Sequence, residues 1–206
     1  MSKGIFIVFD GLDGSGKSEM VKLLESYISS SHKDCSVLTT REPTNGKYGR
    51  EIRGILASDG NPKTNGSKLL ELFIKDREEH LEKEVIPFLN KAGMGKNVVI
   101  CDRYYYSTIA FQAAQGMDAK MLIELNKGFL MPDIAFIFDI SPETALERIK
   151  TRKKEKFEKP EFMKKLRKKF LEMPKLLKDN IKVIDASKGR EEVFEDIKEE
   201  IDGIIQ

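Results

Sequence analysis

Short runs of apolar residues, each bounded by turn-forming residues, recur at five places along the chain. Within each run the apolarity is continuous rather than alternating, which is typical of strands covered on both faces of a parallel sheet. We therefore predict buried strands at "IFIVF" (5–9), "SVLT" (36–39), "NVVIC" (97–101), "IAFIF" (134–138) and "KVI" (182–184).

Between these runs, apolar residues repeat at the three- and four-residue spacing of amphipathic helices. The helix that carries Leu69 and Leu81 should end before Pro87, because proline has no backbone N–H to donate. The tripeptide at 141–143 (Ser-Pro-Glu) is typical of a helix start. The predicted apolar stripes are Met20, Leu23, Leu24, Tyr27 and Ile28; Leu69, Leu72, Phe73 and Leu81; Phe162, Leu166, Phe170 and Met173; and Val193, Phe194, Ile197, Ile201 and Ile204.

Strands that alternate with helices predict a doubly wound α/β fold. With 206 residues and neither an internal repeat nor a linker, we expect one domain over 1–206. A net charge of +2 is too small to indicate nucleic-acid binding. No apolar stretch approaches the roughly 20 residues of a membrane span, and the N-terminus shows no cleavable signal pattern, so we expect a cytoplasmic protein.

Basic residues are concentrated in one segment, 147–170. Apolar residues at helical spacing run through its later part, which favours a solvated helix face there. We favour this interpretation, or a basic lid at roughly 148–160 that closes over phosphate, over a nucleic-acid surface.

The motif "GLDGSGKS" at 11–18 follows a predicted strand and opens a predicted helix, the context in which G-x-x-x-x-G-K-[ST] binds a nucleoside triphosphate. Its glycines let successive N–H groups converge on one anion, and the helix dipole adds to this. We expect Lys17 to face solvent and reach the β- and γ-phosphates, and the Ser18 hydroxyl to bind Mg²⁺. Asp102, at the end of a buried run, is the predicted second metal residue, whereas Asp139 is better explained as a strand-end residue.

Three classes of protein carry such a loop. GTP-binding switches read guanine with Asn-Lys-x-Asp, and the Asn-Lys pairs at Asn90 and Asn126 lack the aspartate. A motor or helicase usually needs a longer chain, so a small kinase fits better.

Arg103 follows Asp102 and could bind the phosphate of an acceptor, or form a structural salt bridge. No pattern supplies a catalytic base, and a phosphate acceptor needs none because its second pKa is about 6.

Six blocks of sequence stand out in order along the chain: the loop at 11–18, "TREPT" (40–44), "LFIKDREEH" (72–80), "DRYYYSTIAFQ" (102–112), "PDIAFIFDISPETALERI" (132–149) and "KVIDAS" (182–187). They occur in the order found in thymidylate kinases, and the chain resembles that family from end to end, especially its archaeal and bacterial members. The resemblance implies a P-loop kinase fold, with a five-stranded parallel sheet flanked by helices on both faces. It also implies ATP- and Mg²⁺-dependent in-line phosphorylation of dTMP to dTDP in dTTP biosynthesis, commonly by a homodimer.

For the acceptor, the resemblance implies that Phe73 stacks on thymine, although Phe73 also fits a core stripe. Arg77 would donate to the base O4, where cytosine presents an amino donor instead. Arg103 would bind the dTMP phosphate, Phe111 would lie beneath the deoxyribose, and His80 is expected to be a packing or positioning residue. The other residues expected near dTMP are Asp13, Arg41, Glu42, Pro43, Arg53, Thr108 and Gln112.

For the donor, some family members place an arginine inside the phosphate loop, where this chain has Gly14. We therefore expect Arg152 of the lid to reach the β- and γ-phosphates, with Lys153, Lys154 and Lys156 in support. Lys156 replaces an arginine of many related lids, and "REPTNG" at 41–46 departs from bacterial members that have two glycines after the proline. Predicted ATP contacts are Gly11, Leu12, Asp13, Gly14, Ser15, Gly16, Lys17, Ser18, Arg148 and Arg190, and predicted catalytic residues are Lys17, Asp102, Arg103 and Arg152.

Two alternatives to a dTMP kinase remain open from the sequence. One is a kinase for another acceptor, such as a dual dTMP and dUMP enzyme or a deoxynucleoside kinase. The other is a nucleotide sensor without catalysis, which should have lost Lys17 or the Asp102 carboxylate, and both are present.

Overall fold

A computed structural model describes residues 4–58, 65–93, 95–149 and 159–205. In these ranges five parallel strands form one sheet in the order β2-β3-β1-β4-β5. The predicted strands are confirmed, and each runs one or two residues further at its carboxyl end than predicted. The strands are β1 (Ile5–Gly11), β2 (Ser36–Arg41), β3 (Asn97–Asp102), β4 (Ile134–Asp139) and β5 (Ile181–Asp185).

Helices cover the central part of this sheet on both faces. Successive side chains of a strand point to opposite faces, and every residue of β1 and β3 is buried. This confirms the α/β class predicted from continuous apolar runs. The helices are α1 (Lys17–Ser31), α2 (Lys47–Ser58), α3 (Gly66–His80), α4 (Ile86–Leu89), α5 (Tyr105–Ala114), α6 (Ala119–Asn126), α7 (Pro142–Arg148), α8 (Pro160–Leu176) and α9 (Arg190–Ile205).

The predicted helix end before Pro87 is wrong. A π-helical turn, Leu81–Val85, joins α3 to α4, and the Ile86 N–H donates to the Leu81 carbonyl. This shift in hydrogen-bond register places Pro87 in the first turn of α4, where a missing N–H removes no helical bond. The chain therefore stays helical through the proline.

Other helix predictions are confirmed. Ser141 caps α7, its Oγ accepting from the Thr144 N–H at 3.1 Å, and Pro142 opens the helix. In α8, Phe170 and Met173 are buried while Lys164, Lys165 and Lys168 are exposed, which is a solvated basic face. Among the residues described, no helix combines the length and apolarity needed to cross a bilayer.

This topology brings the ends of three neighbouring strands together. Asp102 at the end of β3 is in register with Phe9 of β1 and with Arg41 of β2. In open parallel sheets, ligands bind at the carboxyl edge of the strands. The loops that follow β1, β2 and β3 therefore meet at one place.

Candidate active site

The loop after β1 has the backbone of a phosphate-binding loop. Gly14 and Gly16 have φ of 79° and 92°, and Gly16 caps α1. A Cβ atom on Gly14 would lie 2.4 Å from the Ala145 carbonyl oxygen of α7. Gly14 thus has neither the dihedral angle nor the space for a larger residue, so this loop cannot itself carry an arginine there.

Lys17 is buried, so the prediction that it faces solvent is wrong. Its Nζ donates to the carbonyl oxygens of Gly11 (3.0 Å) and Leu12 (2.6 Å) and to Ser15 Oγ (3.2 Å). An ammonium group has three donors and no acceptor, and its own loop supplies three oxygens. Burial, followed by the nearby Arg103 charge, lowers the pKa of Lys17 to about 8.

Ser18, in the first turn of α1, lies next to Asp102, the last residue of β3. The Ser18 hydroxyl donates to Asp102 Oδ2 at 2.7 Å. The other carboxylate oxygen, Oδ1, is buried and has no hydrogen-bond partner within the described chain. A hydroxyl beside a carboxylate with an unused oxygen is an oxygen donor set of the type that Mg²⁺ prefers. The two predicted metal residues are therefore together, and their chemistry fits the ion.

Arg103 links the phosphate loop to α5. Its Nη2 donates to Asp13 Oδ1 at 2.6 Å, and its Nη1 donates to the Gly11 carbonyl (3.1 Å) and Ser107 Oγ (3.0 Å). The Arg103 charge lowers the pKa of Asp13. The salt bridge considered from the sequence therefore exists, and the same guanidinium also lines the cavity described below.

The sequence did not reveal the role of Asp10, a fully buried acid beside Arg103. One oxygen accepts from the Tyr104 and Ser107 N–H groups at 3.1 and 2.9 Å, which caps α5 from the neighbouring strand. The other accepts from Ser107 Oγ at 2.6 Å and from the Gly11 N–H at 2.9 Å. Burial raises the pKa of Asp10. The sequence signal that could have identified Asp10 is an acidic residue directly after the apolar run at 5–9.

A cavity of about 410 Å³ opens beside the phosphate loop. Residues after β1, β2 and β3 line it together with side chains of α2, α3, α5 and α8. Phe73 lines this cavity and also packs against the buried cluster of Ile52, Leu69 and Leu72, so its ring has a core contact as well as a cavity face. The cavity brings together Asp13, Arg41, Glu42, Pro43, Arg53, Phe73, Arg77, Arg103, Thr108 and Phe111.

Arg77 is almost completely buried, with 1% of its surface exposed. Its Nε and Nη2 donate to Glu42 Oε2 at 3.0 and 2.7 Å, and Nη2 also donates to Thr108 Oγ1 at 3.0 Å. Nη1 donates to Asn126 Oδ1 at 2.7 Å. Glu42 supplies a buried counter-charge, and its attraction offsets part of the cost of desolvating the guanidinium at the cavity wall.

His80 stabilises Glu42 from the other side. Its Nδ1 lies 3.1 Å from Glu42 Oε1, and its Nε2 lies 2.8 Å from Thr40 Oγ1. His80 is not among the residues that line the 410 Å³ cavity. These contacts are those of a positioning residue.

Gln112 lies one helical turn beyond Thr108 and is also outside the set of cavity-lining residues. It is completely buried, yet neither its Oε1 nor its Nε2 has a hydrogen-bond partner within the described chain. A buried amide with both functions unused is costly, so this side chain needs polar partners that the described residues do not supply.

On the donor side, Arg148 Nη1 donates to the Ala186 carbonyl at 3.0 Å. Arg190 opens α9, and its Nε lies 3.0 Å from Glu19 Oε1. Asp139 forms two hydrogen bonds with Arg167, which agrees with its interpretation as a strand-end structural residue. The predicted lid cations Arg152, Lys153, Lys154 and Lys156 lie outside the described residues.

Comparison with known proteins yields consistent matches. The profile of the family described as thymidylate kinase matches residues 9–197. A probable thymidylate kinase of Methanocaldococcus jannaschii is 38% identical over 206 residues, covering 100% of this chain and 98% of that protein. The probable thymidylate kinase of Pyrococcus abyssi is 37% identical over 201 residues, covering 95% and 94%. The thymidylate kinase of Desulfotalea psychrophila is 40% identical over 166 residues, covering 79% and 78%.

Proposed function

The chain belongs to the thymidylate kinase family, and from this premise we infer that the protein phosphorylates dTMP to dTDP with ATP as the phosphoryl donor. The observation that carries this inference is the 410 Å³ cavity beside the phosphate loop. An aromatic ring, Phe73, and a base-edge donor, Arg77, share it with a phosphate-binding candidate, Arg103. These are the three functions that recognition of a pyrimidine monophosphate requires.

We propose that the two nucleotides meet between the phosphate loop and Arg103. The triphosphate would take the N–H groups of the loop and the Lys17 ammonium, which would exchange the Gly11 and Leu12 carbonyls for phosphate oxygens. The dTMP phosphate would draw Arg103 from Asp13 into a bidentate contact. Because this phosphate is already an anion near neutral pH, the residues need only align it and bear the developing charge.

Ser18 and Asp102 would hold Mg²⁺, since their oxygens are adjacent and Asp102 Oδ1 has no partner within the described chain. When bound, Mg²⁺ neutralises charge on the donor phosphates. Lys17, with its pKa of about 8, would stay protonated beside those anions. Arg152 is our proposed additional cation, because Gly14 leaves no space for one inside the loop.

For the base, we propose that Phe73 stacks on thymine while Arg77 donates to O4. The Gln112 amide, which has no partner among the described residues, would serve the N3–H and a neighbouring oxygen once the base is in place. Phe111 would lie under the sugar and disfavour a 2′-hydroxyl. Arg41 and Arg53, from either side of Pro43, would close on the phosphate.

A homodimer, a cytoplasmic location and a single domain over 1–206 also stay proposals. The homodimer is proposed from the family resemblance. The cytoplasmic location is proposed from the sequence pattern. Analytical ultracentrifugation of the full chain would test the dimer directly, with a sedimentation mass twice that of the monomer as the expected result.

A coupled assay of ADP release with dTMP, dUMP, dCMP, dGMP and thymidine tests the function. We expect turnover with dTMP to exceed that with dCMP and dGMP, and none with thymidine, which lacks the phosphate that Arg103 would bind. Preference for thymidine would identify a nucleoside kinase, and ADP release with none of the five would contradict the proposal. Comparable turnover with dUMP would show that the C5 methyl group is not read.

A further inference from the structure

Among the described hydrogen-bond partners of Arg77, Asn126 is the one that does not line the cavity. It is the last residue of α6 and is 4% exposed. Its Nδ2 donates to the Leu122 carbonyl at 2.7 Å, which fixes the amide so that Oδ1 faces Arg77 Nη1, also at 2.7 Å. The orientation of this amide is therefore set by α6 itself.

The turn after α6 adds a second contact with the same guanidinium. The Phe129 N–H donates to the Asn126 carbonyl at 3.2 Å, which holds this turn closed. The Phe129 ring centroid lies 5.3 Å from Arg77 Cζ, and the Tyr104 ring centroid lies 5.1 Å from it. Two aromatic rings and one amide therefore contact the guanidinium in addition to Glu42 and Thr108.

The hydrogen atoms of the guanidinium can be assigned one by one, since arginine has five N–H donors. Glu42 accepts one from Nε and one from Nη2, and Thr108 accepts the second from Nη2. Asn126 accepts one from Nη1. Among the residues that the structure describes, no acceptor is found for the fifth hydrogen, which is on Nη1, the nitrogen that Asn126 contacts.

We propose that Asn126 is a positioning residue for base discrimination, which acts through Arg77: its bond to Nη1 helps to hold the planar guanidinium in one orientation at the cavity wall, and this fixes the direction of the remaining Nη1 hydrogen. This inference rests on the proposed function, in which that hydrogen meets the O4 of thymine. A fixed donor excludes the N4 amino group of cytosine, because two donors would face each other. Without Asn126, the guanidinium would lose one of the contacts that fix its plane, and a water molecule bound at Nη1 would bridge it to either base.

The test compares Asn126→Leu, which removes the oxygen at similar volume, with Asn126→Asp, which keeps an acceptor oxygen for Arg77 and gives up only the bond from Nδ2 to the Leu122 carbonyl. Glu124→Gln, an exposed change on the same helix, is the matched control. For each full-length protein, kcat/KM is measured with dTMP and with dCMP, together with KM for ATP. We expect Asn126→Leu to lower the dTMP/dCMP ratio by about tenfold to a hundredfold, the effect of one hydrogen bond to a charged group. Asn126→Asp and Glu124→Gln should keep the ratio, and KM for ATP should not change.

A second arm separates positioning from general destabilisation. Arg77→Lys keeps the charge beside Glu42 but loses the planar fork, so it should lower the ratio by itself. Adding Asn126→Leu to Arg77→Lys should lower the ratio no further if Asn126 acts through Arg77, and an additive effect would overturn the inference. Should Asn126→Leu fail to fold, as judged by far-UV circular dichroism, Asn126→Ser replaces it with the same expected direction.

The outcomes distinguish the inference from the function on which it rests. A folded Asn126→Leu variant with an unchanged ratio overturns the inference alone, provided that Arg77→Lys lowers the ratio. An unchanged ratio in Arg77→Lys removes Arg77 from base reading and overturns both the base-reading assignment and the inference. A wild-type protein without dTMP-dependent ADP release contradicts the proposed function.

Discussion

Replacing Lys17 with methionine should abolish turnover and yet make the protein more stable at neutral pH. Lys17 is 5% exposed, and burial is the largest cause that lowers its pKa from 10.5 to about 8. A pKa difference of one unit corresponds to about 1.4 kcal/mol, so the charged form is disfavoured in the folded state by roughly 3 kcal/mol. Methionine keeps most of the stem and removes the charge.

Part of this gain is offset by lost hydrogen bonds. The contacts of Nζ with the Gly11 and Leu12 carbonyls contribute on the order of 1 kcal/mol each, net of solvation. We therefore expect the free energy of unfolding of Lys17→Met at pH 7 to exceed that of the wild type by about 1 to 2 kcal/mol. The activity should fall by about a thousandfold or more, since a group that stabilises transition-state charge is lost.

The sign of the pH dependence follows from the direction of the pKa shift. Between about pH 8 and 10.5 the folded wild type binds fewer protons at Lys17 than the unfolded chain, so this group makes the wild type more stable as the pH rises. Below about pH 8 Lys17 is charged in both the folded and the unfolded state, and the full cost of burying that charge lowers the free energy of unfolding. The difference in unfolding free energy between Lys17→Met and the wild type should therefore shift by about 3 kcal/mol, in favour of the wild type, between pH 7 and pH 10.5.

Urea unfolding followed by circular dichroism at pH 7, 8, 9 and 10 measures this difference, and the coupled ADP assay measures turnover. Lys22→Met, an exposed change on the same helix, is the control and should show no such shift. A difference in stability that is the same at pH 7 and pH 10 would refute the argument that Lys17 is a buried charge. Near-normal turnover of Lys17→Met would mean that the loop is not the donor site.

Three further predictions concern the other parts of the site. Glu42→Gln should lower the free energy of unfolding by about 3 to 5 kcal/mol, because it leaves the buried Arg77 charge without its counter-charge; an unchanged urea midpoint would count against this pair as a structural element. Asp102→Asn should raise the Mg²⁺ concentration needed for half-maximal turnover, and excess EDTA should stop the wild-type reaction; an unaltered Mg²⁺ titration would remove Asp102 from the metal site. Arg152→Ala should lower kcat with little change in KM for dTMP, and weaker dTMP binding instead would mean that Arg152 contacts the acceptor.

The sheet could be predicted from the sequence because its central strands are continuous apolar runs. The ends of the strands could not be predicted in this way, because residues such as Asp10 and Asp102 are polar. They carry no hydrophobic signal, although they still belong to the hydrogen-bonded strands. Pro87 misled the helix prediction because a π-helical turn changes which residues need an N–H, and no local pattern marks that turn.

The candidate site was predictable where a motif names its residues, and unpredictable where contacts depend on packing. Motif blocks supplied Phe73, Arg77 and Arg103, which do line one cavity. Asn126 was considered only as part of an Asn-Lys pair for guanine, because its contact with Arg77 joins two helices distant in sequence. The burial of Lys17 was missed because only a ligand, and not the loop itself, was considered as its partner.

The register of β1 against β3 fixes the distance between the two proposed phosphate anchors. Phe9 pairs with Asp102 on the adjacent strand, about 4.8 Å away, and β1 runs two residues further, to Gly11, where the phosphate loop begins. A one-residue insertion within β3 would displace Arg103 by about 3.3 Å along the strand, more than a hydrogen bond can tolerate. Insertions in the segment before β3 should leave that spacing intact, so natural variation in length is expected there and not inside the strand.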